Sequence, residues 1–214
     1  MKNLKILSMN FGRSFIPIKD KKKKEFLRNK LMEGPYDILM VQGYGIIDGV
    51  DLDNTFYNYT NAFDRIVTFS RNKLPIYENI LSKKINSSVV FNGENPLAVV
   101  NVNFSNSKYV ENLYNCCRIY NNLDNGYCVM SRIVAGRFPK TFDTNLFCDL
   151  LDLDDISTFV GQDTHIENNR DVVNHFFISR DLEAESVHKL VGWTETLKLG
   201  EAYPVQVTLK KVLK

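Results

Sequence analysis

Four carboxylates crowd one short stretch of this sequence and are the first candidates for chemistry: Asp149, Asp152, Asp154 and Asp155. Carboxylate oxygens are the ligands that Ca²⁺ and Mg²⁺ prefer in proteins. The stretch lacks the central glycine and the closing glutamate of a calcium-binding helix–loop–helix, and a cluster of like charges is more typical of a solvated helix end. We therefore predict a solvated turn here rather than a cation site.

Histidines and cysteines provide no motif of known chemistry. His165, His175 and His188 do not fall at metal-ligand spacing. The apolar residues around His175 predict a partly buried imidazole on a strand, whereas His188 is expected on the surface of a helix formed by DLEAESVHKL. The four cysteines show no CxxC spacing, and the adjacent Cys116 and Cys117 are expected in the core. Reduced thiols are therefore predicted.

A basic segment is the clearest candidate for binding. Residues 19–30 contain seven basic and two acidic side chains. Such a run could bind phosphates or an acidic partner, but the solvated start of a helix has the same pattern and is the favoured interpretation. The lysines concerned are Lys21, Lys22, Lys23 and Lys24.

Apolar periodicity predicts the elements that must position these side chains. Strands are predicted at 4–10, 37–42, 64–70, 85–91, 96–104, 131–136, 172–179 and 204–211. Helices are predicted at 22–33, 107–120 and 142–151. The first helix should end at Gly34-Pro35, and the last should begin after Thr141 as its N-cap. Many strands and few helices, without repeats or linkers, indicate one domain over residues 1–214, built on sheets covered on both faces.

Seven of these segments follow one another in an order that resembles a known superfamily. They are LKILSMNFGR, YDILMVQGYG, DRIVTFSRNKLPI, PLAVVNVNF, RIVAGRFPKTFDTNLFCDLL, VVNHFFISRDL and LGEAYPVQVTL. Together they resemble the endonuclease/exonuclease/phosphatase superfamily, which includes deoxyribonuclease-I-like nucleases and inositol-phosphate phosphatases. The resemblance covers nearly the whole chain. It implies an α/β (α+β) four-layer sandwich of two packed mixed sheets flanked by helices, with trimmed loops and an active site at one end of the sheets.

The resemblance also implies metal-assisted phosphodiester hydrolysis, and the residues for that chemistry are mostly replaced here. In the family a second-strand Glu holds a divalent cation, a His–Asp pair acts as acid and base, and an Asp-x-Asn pair orients water and phosphate. Asn10 keeps the family residue and Glu201 is a conservative replacement. The other family positions carry Gly43 for the metal-binding Glu, Asn103 for the His of the "NtHf" strand, Arg137 and Pro139 for Asp-x-Asn, Asn174 for the Asp of "rIDyIf", and Ala202 for the terminal His.

These replacements lead to the expectation of a catalytically inactive protein. Loss of the second-strand carboxylate removes the main metal ligand, and Arg137 puts a positive charge where the family binds Mg²⁺. We therefore expect no cofactor and no enzymatic activity, but a binding protein for a protein or nucleic-acid partner. Its binding face would join Arg13, Arg71 and Arg137 to the four lysines. Alternatively, Arg137 forms a salt bridge with Glu201 and restores local neutrality.

The sequence is compatible with two other functions. The first is a metal-dependent phosphodiesterase, nuclease or phosphatase with relocated ligands, such as Glu201, Asp64 or the carboxylates at 149–155, which would have to converge near Asn10. The second is a structural, self-associating protein, which would expose an apolar patch.

Composition excludes several broad classes. The chain has 214 residues, 44% of them hydrophobic and 24% charged, which is a globular composition rather than a disordered or fibrous one. A net charge of +2 and a pI near 8.2 are too mild to indicate nucleic-acid binding by themselves. No apolar run approaches the roughly 18 residues of a membrane span, and no secretory signal is recognised, so a cytoplasmic location is expected. Short loops and abundant Asn and Lys suit a viral or phage protein.

Overall fold

The structure is a computed structural model that describes residues 3–11, 19–43, 52, 56–61, 66–71, 85–92, 95–104, 131–139, 141–157, 172–197 and 203–210. Its strands are β1 (Leu4–Asn10), β2 (Ile38–Gln42), β3 (Tyr57–Asn61), β4 (Ile66–Ser70), β5 (Ile85–Asn92), β6 (Asn95–Asn103), β7 (Ser131–Pro139), β8 (Leu153–Asp155), β9 (Val172–Ser179), β10 (Ala184–Lys189) and β11 (Val205–Leu209). Its helices are α1 (Lys21–Glu33), α2 (Thr144–Leu151) and α3 (Val191–Leu197).

The strands form two mixed sheets. The first sheet has the order β10-β11-β1-β2-β4-β3, and the second has the order β5-β6-β7-β9-β8. Each sheet has one parallel pair at its centre, β1 with β2 and β6 with β7, and its other neighbouring strands are antiparallel. Parallel neighbours need a crossover connection, which α1 provides between β1 and β2.

Side chains alternate between two covered faces along the central strands. Ile6 and Ile38 of the first sheet pack against Val99 and Ile133 of the second. The opposite face of the first sheet, with Leu7, packs under α1 and α3. The outer face of the second sheet carries an aromatic cluster in which Phe138 and Phe177 contact Phe147 of α2. The predicted four-layer sandwich is therefore confirmed, and its covered faces explain the continuously apolar strands.

The direction of helix α1 decides which of its residues lie near the ends of strands β1 and β2. Asp20 is its N-cap, with a carboxylate that accepts hydrogen bonds from the amides of Lys22 at 2.9 Å and Lys23 at 3.3 Å. Its 13 residues span about 20 Å, close to the length of β1, and because α1 connects two parallel strands it has to run back antiparallel to them. The first turn of α1 therefore lies at the edge where β1 and β2 end.

Some local predictions were wrong. The N-cap of α2 is Asp143, whose carboxylate accepts from the amide of Leu146 at 2.9 Å, rather than Thr141. His188 lies on strand β10 instead of a helix, because this segment pairs with β11 at the edge of the first sheet. Strands β3 and β8 and helix α3 were not predicted, and the helix expected at 107–120 lies outside the described residues. Within the described residues, no helix has both the length and the apolar character that a membrane crossing requires.

Candidate functional site

Polar side chains meet where the central strands of both sheets end. Asn10 at the end of β1 pairs in register with Gln42 at the end of β2. In the second sheet Arg137 lies between Asn103 of β6 and Asn174 of β9. We call these five residues the polar edge. It contains four of the sequence-predicted family positions, and Gly43 follows Gln42 directly, with a φ of 81°.

A buried amide bridge holds the two sheets together at this edge. Gln42 Nε2 donates to Asn101 Oδ1 across the sheets at 2.6 Å. Asn101 Nδ2 in turn donates to the carbonyls of Val67 at 3.0 Å and Val41 at 3.3 Å. Both amides are fully buried, where their hydrogen bonds act in a low-dielectric interior and fix the distance between the sheets. The sequence showed these residues only as polar positions in apolar runs.

Arg137 brings a permanent positive charge into this interior. Its side chain is only 5% exposed, and Nη1 donates to Asn103 Oδ1 at 3.4 Å. On the other side, Asn174 Nδ2 donates to the carbonyl of Tyr203 at 3.1 Å. Pro139 ends the same strand two residues after Arg137. Because a guanidinium stays protonated, Arg137 itself keeps its positive charge at all physiological pH values.

The described residues of the polar edge do not fit a bound Mg²⁺ ion. They are four amides and a guanidinium, and Mg²⁺ requires oxygen ligands that usually include a carboxylate. Gln42 Oε1 is a buried oxygen that accepts no hydrogen bond from the described residues. A single neutral amide oxygen is, however, not enough to hold a Mg²⁺ ion. Within the described ranges, no group of three His, Cys, Asp or Glu side chains could hold a metal. Glu201, Ala202, Arg13 and Asp64 lie outside the described residues.

Of the carboxylates at 149–155, Asp149, Asp152 and Asp154 do not converge on Asn10, so they are not relocated ligands there; the other candidates, Glu201 and Asp64, lie outside the described residues. These three aspartates surround Arg180, at 3.7 Å from Asp149, 3.0 Å from Asp152 and 3.5 Å from Asp154. Arg180 directly follows β9, whose other end carries Asn174. All of these side chains are at least half exposed, as predicted for a solvated turn.

Asp155 departs from that prediction because it is mostly buried. Its Oδ2 lies 2.7 Å from Nδ1 of His175, and Ser157 also hydrogen-bonds the carboxylate. The imidazole stacks on Phe177 and contacts the edge of Phe138 on the outer face of the second sheet. The satisfied, partly buried His175 was predicted, but its partner was not, because β8–β9 pairing brings the two residues together.

Two parts of the expected basic face lie at opposite ends of the molecule. Arg71 follows β4 at the end where its neighbour β2 begins, and its backbone amide donates to the carbonyl of Asp37. The expectation that Arg71 joins Arg137 in a binding face is therefore wrong. By contrast, the lysines from Lys21 to Lys24 occupy the first turn of α1, on the same side as the polar edge, with Lys21 and Lys22 exposed.

Cys148 is expected to be unreactive near neutral pH. Burial first, and then the negative charges of Asp155 and Asp154, raise the pKa of its thiol to about 11. Since the thiolate is the reactive form, alkylation by iodoacetamide should be slow at pH 8 and should accelerate as the pH approaches 11. Residue-resolved mass spectrometry measures this rate, with urea-unfolded protein as the control. Equal rates in folded and unfolded protein at pH 8 would contradict the prediction.

Solved structures show the same fold with little sequence identity. No protein-family model and no curated protein sequence matches this chain. An endonuclease/exonuclease/phosphatase family protein from Leptotrichia buccalis superposes with a TM-score of 0.66 at 14% identity, over 97% of this chain and 100% of that one. A mannosyl-6-phosphatase from Bacteroides thetaiotaomicron gives 0.66 at 12% identity, over 97% and 100%. The endonuclease domain of TRAS1, a telomere-specific non-LTR retrotransposon, gives 0.68 at 12% identity, over 98% and 99%.

These similarities show a deoxyribonuclease-I-like fold, as the order of sequence segments predicted. They also correct the expectation that the chain is not an enzyme. Proteins that share its fold over nearly their whole length include a phosphatase and an endonuclease. Replacement of the family's acidic residues therefore did not justify predicting a protein without activity.

Proposed function

We propose that this chain, with its endonuclease/exonuclease/phosphatase fold, hydrolyses phosphate esters at the polar edge. The observation that carries the proposal is the buried guanidinium of Arg137, which lies between Asn103 and Asn174 where the central strands end. The phosphatase and the endonuclease that share the fold act on phosphate esters by their names, which supports the same class of substrate here.

The polar edge offers hydrogen-bond donors suited to a phosphate group. A guanidinium has five N–H donors in a planar fork that matches two phosphate oxygens, and it can offset charge that develops during ester cleavage. The side-chain amides of Asn103 and Asn174 add neutral donors on both sides of it. In this proposal, Arg137 binds and orients the phosphate, and the two amides position it.

Lysines near the same edge favour a substrate with more than one phosphate. The first turn of α1 carries Lys21 to Lys24 and no acidic side chain. Four positive charges at a helix N-terminus oppose the helix dipole, and an anionic substrate nearby would relieve their repulsion. A phosphodiester chain such as DNA or RNA therefore belongs in the substrate panel beside small phosphomonoesters.

The test is hydrolysis by the purified chain, measured on single- and double-stranded DNA, RNA, phosphoinositides and a phosphomonoester. Each substrate is incubated with Mg²⁺, with Mn²⁺ and with a chelator. We expect turnover on at least one substrate class, and the variant Arg137→Met should lower kcat/KM by about 100-fold or more, as loss of a charge-stabilising donor does.

A matched control lies on the same strand. Arg132 is near the start of β7, five residues from Arg137, and Arg132→Met makes the same chemical change away from the polar edge. Its kcat/KM should stay within about threefold of the unchanged chain, since it contacts no reacting group. Circular dichroism verifies that both variants fold. Absence of turnover on every substrate, or equal rates in the unchanged chain and Arg137→Met, would refute the proposal.

A further inference from the structure

We propose that the exposed side of helix α2 is a docking site for a basic amphipathic helix of a partner protein. This helix covers the outer side of the second sheet, so the proposal does not depend on hydrolysis at the polar edge. The docking site, called the α2 face below, combines two leucines with the carboxylates at both ends of the helix: Leu146, Leu150, Asp143, Asp149, Asp152 and Asp154.

Two large apolar side chains of α2 point away from the core. Leu146 is 43% exposed and Leu150 is 55% exposed. On the other side of the helix, Phe147 and Leu151 are buried. Because residues four apart in a helix share a face, the two leucines form one continuous apolar strip. Among the described residues, the only other large apolar side chain with comparable exposure is Val191, which begins α3 on the opposite side of the sandwich.

Negative charge lies at both ends of this strip. Asp143 is the N-cap of α2, and Asp149, Asp152 and Asp154 surround Arg180 at the C-terminal end. Four carboxylates and one guanidinium leave these groups with a net charge of −3. The last turn of α2 has no basic residue, so the partial negative charge of the helix C-terminus adds to theirs.

Charge limits what can cover the two leucines. A second copy docked through the same face would bring two sets of carboxylates together, and an anionic membrane surface would meet the same repulsion. The basic helix α1 of a second copy matches the charge, but none of its large apolar side chains is exposed. A partner helix that carries apolar residues on one face and Lys or Arg beside them satisfies both conditions.

The length of α2 sets the spacing that the partner needs. Its eight residues span about 12 Å, with carboxylates at each end. Two turns of a partner helix rise by about 11 Å, so basic residues about seven positions apart would reach both ends while apolar residues between them cover the leucines. A contact with one short helix predicts a weak complex that salt disrupts, rather than a permanent one.

The experiment measures fluorescence anisotropy of a labelled synthetic peptide of about 18 residues, made of Leu and Lys with all leucines on one helical face. Its Kd for the unchanged chain should be micromolar at low salt and should rise about tenfold at about 300 mM NaCl. The double variant Leu146→Gln/Leu150→Gln should weaken binding by about tenfold or more, since apolar burial is lost. The matched control Val191→Gln should stay within about twofold, because it exchanges an exposed apolar residue elsewhere. Circular dichroism verifies that both variants fold.

A substitution of Arg180 separates docking from a merely structural role. Because its guanidinium offsets the carboxylates of the α2 face, Arg180→Met should strengthen binding of the Lys peptide by about threefold. Asp149→Asn should weaken binding by a similar factor, because it removes a negative charge from the same face. A peptide with Glu in place of every Lys should not bind.

A measurement on the unchanged chain keeps the proposal testable without variants. Backbone amide resonances of residues 146–150 should shift on addition of the Lys peptide, while those of α3 should not. The proposal is overturned by absence of binding, by equal binding to the double variant, by binding of the Glu peptide or by weaker binding of Arg180→Met. Sedimentation velocity provides a further check, since a dimer that the double variant abolishes would assign the α2 face to a second copy instead. None of these readouts uses turnover, so their failure leaves the proposed hydrolase untouched.

Discussion

Replacing Gly136 with alanine is expected to destabilise the folded chain severely. Gly136 lies in the central strand β7 with a φ of 144°, a backbone conformation that side chains other than glycine rarely adopt. An added Cβ would lie 2.0 Å from the carbonyl oxygen of Val102 on the neighbouring strand β6. The contact is with backbone, so a side-chain rotation cannot relieve it. A loss of more than about 4 kcal/mol is expected, against a total stability of about 5–15 kcal/mol for a typical domain.

Gly192 provides the matched control for this substitution. It lies in helix α3, and a Cβ added there would meet nothing within 4 Å. Gly192→Ala should raise the free energy of unfolding by about 0.5–1 kcal/mol, because alanine favours the helix more than glycine does. Urea unfolding followed by circular dichroism measures both variants. A cooperative transition for Gly136→Ala at the midpoint of the unchanged chain would show that β6 and β7 need no close approach.

Gly136 also affects the geometry of the polar edge. Gly136 pairs with Val102 of β6 and His175 of β9, and the next pairs along the strands are Arg137 with Asn103 and with Asn174. The close approach of β6 and β7 therefore sets the spacing of the three residues that we propose to bind phosphate.

Replacing Arg71 with methionine is expected to lower the free energy of unfolding by about 3 kcal/mol, since hydrogen bonds from a charged donor to partly buried carbonyls are lost. Arg71 Nε donates to the carbonyl of Tyr36 at 2.5 Å, and Nη2 donates to Gly34 at 2.8 Å and Met32 at 3.1 Å. These carbonyls end α1 and the turn after it, where helix geometry provides no partner. The guanidinium also lies 4.7 Å from the ring centre of Phe56.

A matched substitution of Arg180 tests whether the loss of stability expected for Arg71→Met is specific to the end of the helix. Its side chain is 51% exposed and forms salt bridges on the surface, where solvent weakens them. Arg180→Met should therefore change stability by less than about 1 kcal/mol. Urea unfolding of both variants gives the comparison. Equal losses in the two variants would mean that the carbonyl contacts of Arg71 do not stabilise the end of α1.

Most of the fold could be predicted from the sequence because its central strands are buried along most of their length. Strands β1 and β2 were predicted at their bounds to within one residue, since every residue of β2 is buried and its apolar run is continuous. Helix α1 was predicted from the spacing of residues such as Leu27 and Leu31, which do pack under the first sheet. Strand β10 was mistaken for a helix because its structure depends on pairing with β11.

The candidate site could be predicted only as a set of positions. Chain order indicated that Asn10, Asn103, Arg137 and Asn174 lie at strand ends, and the register of the two sheets brings them to one edge. The Gln42–Asn101 bridge was missed because its two amides are 59 positions apart and meet between the sheets. Reasoning from lost catalytic residues to lost activity was also wrong, since proteins that share this fold over nearly their whole length include a phosphatase and an endonuclease.

The sequence by itself determined the central strands and the first helix, and the order of its segments indicated the fold, because continuous apolar runs can be buried only between covered layers. It also determined that position 137 carries a permanent positive charge. Only the tertiary structure decided where each charge acts. Arg71 and Arg137 have the same side chain, but strand register places one at the end of α1 and the other at the polar edge. Position relative to neighbouring strands, which local sequence does not encode, therefore separates a stabilising arginine from one proposed to bind phosphate.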